Sequence, residues 1–271
     1  FIASFLDRKY DVVILDEVQA DQPEVIAAKL IMGARAKQLN HKVFECSASY
    51  GTIRTNKEVK IEPVPMMGGP SIVVDGLQIP VDLLEEDKLT LIYCRSRYGC
   101  EEAKRQIDAI KKQKNSPYRV VVMHGGMELT AESMEGLMAG CIVATDCIEA
   151  GVNIPNLTVI FDPQKTFKPD YKYHIVSPLV EKKDVDDTIS YAQFVQRVGR
   201  LGRFDKTGVY YCLNTNIPRT DIVYSERNLL LGAFMAFTAE KKGAIRLTDV
   251  TTSEQEDFYK LLYERQLSGH G

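Results

Sequence analysis

The sequence predicts an α/β protein with two parallel-sheet units, the first one incomplete, and a helical C-terminal extension. Short continuous apolar runs, such as VVIL at residues 12–15, are typical of strands buried on both faces of a parallel sheet. These runs alternate with segments of helical length along most of the chain. The stretch VPMMGGP, residues 64–70, is punctuated by Pro and Gly and indicates a linker between the two units.

The individual elements follow in order. In the first unit we predict strands at 12–15 and 42–46 and a helix at 23–39, where Pro23 suits the first turn. In the second unit the predicted strands are 89–93, 119–123, 141–145, 158–161 and 208–213, and the predicted helices are 100–112, 131–137 and 191–200. The acidic stretch 181–187 is predicted to be a solvated loop. Past Pro218 the strand signal fades, residues 229–237 predict a buried helix, and Ser253 with Glu256 forms a capping box for another. The predicted domains are therefore 1–67, 68–216 and 217–271.

Composition limits the class of protein. An apolar fraction of 45% supports real cores, and a net charge of −3 gives no global attraction for nucleic acid, so any such binding needs a local positive groove. The six cysteines form no C-x-x-C pair, which predicts free thiols in a reducing compartment. No segment approaches the ~18 apolar residues that a membrane span needs, and the N-terminus carries no secretory signal pattern.

The first candidate site is the pair Asp16-Glu17 at the end of the first strand. The carboxyl ends of parallel strands form the edge where open α/β sheets bind ligands. One carboxylate there can hold Mg²⁺ through its waters, and the next can polarise an attacking water as a general base. The alternative is a buried strand that simply ends in solvated acids.

Two further stretches follow strands. Ser47-Ala48-Ser49 follows the second strand, and its small hydroxyls could relay contact to another unit, although such a stretch is often just a turn. CIVATDCIEAGVNIP, residues 141–155, delivers Thr145 to a sheet edge, where its hydroxyl suits a phosphate oxygen. Gly151 in the same stretch admits a close backbone approach.

The stretch QRVGRLGR, residues 196–203, combines three arginines with two glycines. On a helix, Gln196, Arg200 and Arg203 would share one face, at spacings i, i+4 and i+7. Each interior glycine costs a helix roughly 1 kcal/mol relative to alanine, so we expect them to admit a ligand or another backbone. Converging guanidinium donors suggest an anion such as phosphate. The alternative is a solvated basic helix.

Taken together, these strings resemble a known family. DEVQ, SAS, LIYCRSRYGC, VATDCIEAGVNIP and QRVGRLGR occur in the order of motifs II to VI of superfamily-2 helicases. They are most similar to the helicases of positive-strand RNA viruses, namely the flavivirus and hepacivirus non-structural helicase and the potyvirus cylindrical inclusion protein. The resemblance covers residues 10 to about 215 and implies two RecA-like domains.

The resemblance also implies roles. Asp16 would hold Mg²⁺ with Glu17 beside it at the metal site, and Glu17 would activate the hydrolytic water. ATP would be contacted by Gln19, Gly151 and Asn153, and the triphosphate by Gln196, Arg200 and Arg203, the two arginines acting as fingers. Ser47 and Ser49 would couple the domains. RNA phosphates would be contacted by Ser96, Arg97 and Thr145. The implied partners are single-stranded RNA, RNA duplex and other viral replication proteins, in the host cytoplasm at replication membranes.

Two departures from the family pattern modify these expectations. Gln19 stands where the viral relatives usually carry histidine, and glutamine cannot take a charge. No G-x-x-x-x-G-K-[ST] string occurs, so we expect an N-terminally truncated helicase that hydrolyses no NTP by itself. Two alternatives stay open. One is a cellular superfamily-2 ATPase acting on DNA or ribonucleoprotein, and the other is a hydrolysis-dead RNA-binding or assembly module.

Overall fold

The computed structural model describes residues 10–40, 42–47, 59–125, 136–149, 152–173, 180–202, 207–220, 222, 224 and 226–241. Within these residues the strands are β1 Val12–Leu15, β2 Lys42–Glu45, β3 Val59–Pro63, β4 Ser71–Val74, β5 Leu77–Pro80, β6 Leu89–Tyr93, β7 Val120–Met123, β8 Gly140–Ala144, β9 Leu157–Asp162, β10 Lys165–Tyr173, β11 Val180–Thr188 and β12 Gly208–Cys212. The α-helices are α1 Pro23–Leu39, α2 Arg97–Gln113, α3 Tyr191–Val198 and α4 Glu226–Lys241.

The chain forms two compact units. The described part of the first contains β1, α1, β2 and α4, together with residues 169–173 and 180–184 of β10 and β11. β1 and β2 are parallel, with Val13 opposite Val43. α4 packs along α1, and the position that a Cβ would take at Gly232 lies 2.7 Å from Cβ of Ile26. Only a residue without a side chain permits such a close helix contact.

The second unit is built on a six-stranded parallel sheet in the order β3-β12-β9-β6-β8-β7. Every residue of β6 and β8 is buried, as expected for central strands of a parallel sheet covered on both faces. Because all six strands run the same way, their carboxyl ends meet at one edge.

Helices and a hairpin cover the two faces of this sheet. One face packs against α3 through Tyr191, Phe194 and Val198. The other packs against α2 and the β4–β5 hairpin, which turns at Asp75-Gly76 with φ of 47° and 88°. Two left-handed residues are what a tight two-residue hairpin turn requires, and Asp-Gly supplies them.

The predicted fold class is confirmed. Each predicted strand appears with bounds that differ by at most one residue from the prediction. The predicted loop at 181–187 is wrong, because β11 runs through it and pairs with β10. Strands β3, β4, β5 and β10 were not predicted. The predicted helix at 131–137 does not extend over 136–137, and its residues 131–135, like the capping box at Ser253, lie outside the described residues. The predicted linker at 64–70 does not separate the two units, because β3 precedes it and pairs with β12 of the second unit. The division into three domains stays a prediction.

The helix predicted at 191–200 is shorter than expected. α3 ends at Val198, so Arg200 lies in the turn that follows, and the idea of one helical face for Gln196, Arg200 and Arg203 is wrong. After Val198 the backbone tightens, because Gly199 caps the helix with a φ of −64° and the amides of Arg200 and Leu201 donate to carbonyl oxygens three residues back. Gly202 then adopts a φ of 69°, a conformation that favours glycine.

A helix that spans a membrane must be both long and apolar. None of the described helices is long and apolar enough to cross a membrane.

Candidate nucleotide and nucleic-acid sites

In the first unit, two carboxylates lie where β1 ends. Asp16 and Glu17 are both exposed, and the backbone N of Glu17 donates to Oδ1 of Asp16 at 2.9 Å. Glu17 has a φ of 54°, an uncommon conformation for a residue with a side chain, which turns the chain sharply after the strand. The next residue, Val18, is fully buried and anchors the turn. The turn thus holds both carboxylates at the edge of the sheet, facing solvent.

A chain of side-chain hydrogen bonds leads from Glu17 to Ser47. Gln19 donates from Nε2 to Oε2 of Glu17, and Ser47 Oγ donates to Oε1 of Gln19 at 2.6 Å. Gln19 thus uses its amide NH₂ group as a donor to Glu17 and its amide oxygen as an acceptor from Ser47. The structure therefore brings together Asp16, Glu17, Gln19 and Ser47, four of the residues singled out in the sequence.

In the second unit, three predicted RNA contacts lie at the carboxyl edge of the sheet. Ser96 caps α2, its Oγ accepting from the backbone N of Gly99 at 3.0 Å, and Arg97 opens the helix with an exposed side chain. Thr145 follows the neighbouring strand β8 and is buried. The Cβ position of Gly125, after β7, lies 3.9 Å from Nη2 of Arg97. Three parallel strands thus deliver these groups to one edge.

The loop before Arg95 is held by the β4–β5 hairpin. Asp75 accepts from the backbone N of Arg95 at 2.8 Å and pairs with its Nε at 3.1 Å. The bidentate contact fixes the backbone between Cys94 and Ser96. Tyr98, next to Arg97, is 79% exposed. The edge therefore presents two arginines and an aromatic ring beside the amino end of a 17-residue helix, a combination suited to phosphate and base.

The helix α3 carries the start of the arginine-rich stretch. Ser190 and Gln193 form a capping box, with bonds of 3.2 and 3.1 Å in the two directions. The Nε2 atom of Gln196 is buried and finds no hydrogen-bond partner among the described residues. Arg200 is 6% exposed and donates to the backbone carbonyl oxygens of Glu149 and Val152. In this structure Arg200 thus anchors a loop, and its role at a triphosphate stays a prediction.

Arg197, which the sequence interpretation passed over, is the best-connected side chain of this region. It is 2% exposed. Its Nε lies 2.6 Å from Oε1 of Glu149 and its Nη1 lies 2.8 Å from Oδ1 of Asp162. Its guanidinium carbon sits 4.2 Å from the ring centroid of Tyr93. A third group, the hydroxyl of Tyr210, donates to Oδ2 of Asp162 at 2.5 Å.

Burial and charge act in opposition within this network. Burial lowers the pKa of Arg197, but the neighbouring carboxylates of Asp162 and Glu149 outweigh it, so the net shift is upward and the guanidinium stays charged. For Glu149, burial raises the pKa against the opposing effect of Arg197. Burial also raises the pKa of Tyr93 and Tyr210, which keeps both phenols neutral.

Comparison with known proteins decides the family of the second unit. Residues 75–205 match the model of the helicase conserved C-terminal domain. This stretch is a helicase C-terminal domain. The predicted resemblance to superfamily-2 helicases is thereby confirmed.

The curated relatives are distant. The genome polyprotein of classical swine fever virus (strain Brescia) is 26% identical over 220 residues, which cover 75% of this chain and 5% of the polyprotein. The pre-mRNA-splicing ATP-dependent RNA helicase prp28 of Schizosaccharomyces pombe is 26% identical over 191 residues, covering 64% of this chain and 25% of that protein. The chain therefore spans only a small part of the relatives it matches.

The remaining predicted site residues divide into two groups. Asn153 is exposed in the loop after β8, next to Val152. Ser49, Gly151 and Arg203 lie outside the described residues. Among residues the sequence interpretation missed, Asp162 had a visible signal, because it follows the apolar run of β9 in the helicase C-terminal domain as Asp16 follows that of β1. Asp75 had one too, in the Asp-Gly hairpin signature.

Proposed function

We propose that the protein containing this chain is an NTP-dependent RNA helicase of the viral superfamily-2 type, coupling ATP hydrolysis to movement along single-stranded RNA and to duplex separation. The observation that carries the proposal is the helicase C-terminal domain at residues 75–205. The carboxylate pair at the end of β1 supports the proposal further. It precedes this domain in the chain, as motif II precedes motifs IV to VI in superfamily-2 helicases.

The carboxylates divide the chemistry between them. Asp16 is exposed and oriented by the backbone of Glu17, which fits a residue that holds Mg²⁺ jointly with nucleotide phosphates and waters. Bound Mg²⁺ would neutralise charge on the phosphates. Glu17 would accept the proton of the attacking water, and Gln19 orients its carboxylate by donating to Oε2.

The hydrogen-bond chain supplies a means of coupling. Movement of the Glu17 carboxylate on nucleotide binding would disturb Gln19 and through it Ser47. Such coupling requires that each hydrogen bond has a fixed direction. In this hydrogen-bond chain Ser47 donates to Gln19 and Gln19 donates to Glu17, so the direction of each bond is set. Arg203 and Gln196 are proposed to meet the triphosphate, as the family resemblance implies. Gln196 has a buried amide donor suited to that task.

The carboxyl edge of the sheet is proposed as part of the RNA track. Arg97 and the capped amino end of α2 favour phosphate, and backbone contacts of this type read no sequence. Affinity for single-stranded RNA should therefore fall with salt and vary little with base composition.

The test uses a protein in which this chain is joined to an upstream segment that carries a phosphate-binding loop. RNA-stimulated ATP hydrolysis is measured for wild type, Glu17→Gln and Arg203→Ala, with Glu24→Gln and Arg105→Ala as controls on exposed side chains. We expect losses of roughly a hundredfold or more in Glu17→Gln and Arg203→Ala, and none in the controls. Full activity in Glu17→Gln would contradict the proposal.

A second measurement separates the alternatives by comparing RNA with single-stranded DNA as activators of ATP hydrolysis. Since one relative, prp28, is an RNA helicase, we expect RNA to be the better activator. Stimulation by DNA alone would assign the protein to a different group of superfamily-2 ATPases. Binding of RNA with no hydrolysis in the joined protein would instead identify an RNA-binding module.

A further inference from the structure

The buried network of Arg197 ties together parts of the helicase domain that have different predicted tasks. Arg197 lies on α3, which also carries Gln196. Glu149 lies in the loop after β8, between Thr145 and Asn153. Asp162 ends β9, and Tyr93 ends β6. One guanidinium therefore joins the arginine-rich helix, the loop and the floor of the sheet.

The loop is held twice at the same residue. Arg197 binds the side chain of Glu149 at 2.6 Å, and Arg200 binds its backbone carbonyl oxygen and that of Val152. Gln193 adds a longer contact to Oε1 of Glu149 at 3.5 Å. Two arginines and a glutamine of one segment thus hold the described loop residues Glu149 and Val152.

Asp162 sets the position of Arg197 itself. This carboxylate is fully buried and accepts from Arg197, from the hydroxyl of Tyr210 and from the backbone N of Gln164 at 2.7 Å. Apart from Arg197, which lies on α3, these partners belong to the sheet region: Tyr210 lies on β12 and Gln164 lies between β9 and β10. The guanidinium is consequently held by the sheet and cannot follow the loop if the loop moves.

Stability alone does not account for this arrangement. Taking charges out of water costs so much that well-packed apolar residues often stabilise a core as well as a buried ion pair does. What an ion pair adds is direction, because a guanidinium fork binds two carboxylates in one geometry only. The two carboxylates that Arg197 binds are Glu149 of the loop and Asp162 of β9.

We propose that Arg197 is a positioning residue, which with Glu149 and Asp162 locks the loop between the predicted RNA contact Thr145 and the predicted nucleotide contact Asn153. The proposal rests on the proposed function for the identity of those two ligands. The locked loop gives the helicase domain a rigid link, so that a change at its nucleotide face reaches the RNA edge.

Amide hydrogen exchange on the 271-residue chain tests the positioning directly. The variants are Arg197→Lys, which keeps the charge but loses the fork, and Glu149→Gln, which keeps the shape and leaves Arg197 paired with Asp162. The matched controls are Arg105→Lys and Glu102→Gln, from an exposed pair on α2 joined at 2.7 Å.

We expect exchange at 145–149 and 152–156 to accelerate roughly tenfold or more in both variants, with β6 and β8 changing much less. Equal acceleration in the loop and the central strands would assign Arg197 a merely structural role and overturn the proposal, as would an unchanged loop. If Arg197→Lys fails to fold, Glu149→Gln carries the same test.

Binding of a labelled single-stranded oligouridylate, followed by fluorescence anisotropy, separates this proposal from the proposed function. We expect both variants to bind several-fold more weakly than the controls, because the RNA edge includes the start of the loop. A loosened loop in a chain that binds no RNA at all would leave the positioning role standing and remove the proposed function. A loosened loop with unaltered RNA affinity would overturn the proposed link to the RNA edge.

Discussion

Arg197 donates from Nη1 to Oδ1 of Asp162 at 2.8 Å, and neither side chain reaches solvent. The bond connects the last residue of β9 to α3, and so ties the arginine-rich segment to the centre of the sheet. Among the charged side chains that the structure describes, these two are the most buried, so we expect the loss of either to be costly.

Replacing Asp162 with Asn should be strongly destabilising. The variant leaves Arg197 with one carboxylate and gives Tyr210 and the backbone N of Gln164 a weaker acceptor. Breaking a buried ion pair typically costs about 3–5 kcal/mol. Urea unfolding of Asp162→Asn measures this, and Asp82→Asn, from an exposed pair with Lys114, serves as the control with an expected change of about 0.5 kcal/mol or less. Equal stability of the two variants would show that the pair is not formed.

Glu149 should give the stability a specific dependence on pH. Burial raises its pKa above the ordinary 4.5. A carboxyl group that binds its proton more tightly in the folded state stabilises the fold fully below pH 4.5, and this contribution is lost as the pH rises through its folded pKa. Glu149→Gln does not titrate, so its stability relative to wild type should increase from pH 4.5 towards neutrality.

The control for this measurement has the opposite sign. Arg105 lowers the pKa of the exposed Glu102, so Glu102→Gln removes a contribution that is present above pH 4.5 and lost below it. Its stability relative to wild type should stay flat or decline slightly as the pH rises, because solvent screens an exposed pair. A parallel trend in both variants would contradict the assigned environment of Glu149.

Local patterns made the sheet of this protein predictable. Apolar runs identified β6 and β8, because central parallel strands are apolar on both faces. The run VVIL located β1 as well, although the expected burial on both faces is wrong there, since Val12 and Ile14 are exposed. The same rule failed for β11, since VEKKDVDDT has no apolar run and its strand exists through pairing with β10. Pairing between two strands depends on the fold, so it could not be predicted from the local pattern of a charged segment.

The site was predictable only in part, for a similar reason. Asp16 and Glu17 were singled out by their residue type and their position at the end of a strand, whereas Arg97 was named only through the family resemblance, and the roles of all three stay predictions. The role of Arg197 could not be predicted, because it depends on Glu149 and Asp162, which are 48 and 35 residues away in sequence and reach it through the fold. The helical face predicted for Gln196 and Arg200 failed because α3 ends at Val198 and the backbone tightens after it, with the amide of Arg200 donating to the carbonyl oxygen of Arg197.

Gly232→Ala should destabilise the first unit. An added Cβ would lie 2.7 Å from both Cβ and Cγ2 of Ile26 and 2.8 Å from the carbonyl oxygen of Pro23, so α4 would have to move away from α1. Overpacking of this kind costs about 1–3 kcal/mol. Thermal unfolding monitored by circular dichroism measures the change.

Gly33→Ala is the matched control for that variant. Gly33 lies within α1, and a Cβ added there meets nothing within 4 Å. We expect it to stabilise the chain by about 0.5–1 kcal/mol through the higher helix propensity of alanine. If both variants stabilise the protein equally, the close approach of the two helices is refuted.

Asp75→Ala should loosen the loop at Arg95 and lower RNA affinity. The variant loses the acceptor for the backbone N of Arg95 and places alanine at a φ of 47°, which suits Asp and Asn far better. Anisotropy with a single-stranded oligouridylate should show a loss of roughly fivefold or more, since a misplaced Arg97 forfeits phosphate contacts. Asp75→Asn keeps the turn and an acceptor, and should bind nearly as well as wild type. Identical affinities for wild type and Asp75→Ala would exclude a positioning role for the hairpin.

Gln19→His should introduce a pH dependence that the wild-type coupling lacks. Gln19 donates to Glu17 and accepts from Ser47 at every physiological pH, because an amide does not titrate. A neutral imidazole can reproduce one donor and one acceptor, whereas the protonated ring has two donors and cannot accept from Ser47. With a histidine pKa of about 6.5, RNA stimulation of ATP hydrolysis in the joined protein should decline between about pH 7.5 and 5.5 in the variant. Wild type measured in parallel removes effects common to all pH-dependent steps, and Gln19→Leu, which breaks the chain at any pH, should show low stimulation throughout. Matching pH profiles for Gln19→His and wild type would mean that the contact with Ser47 transmits nothing.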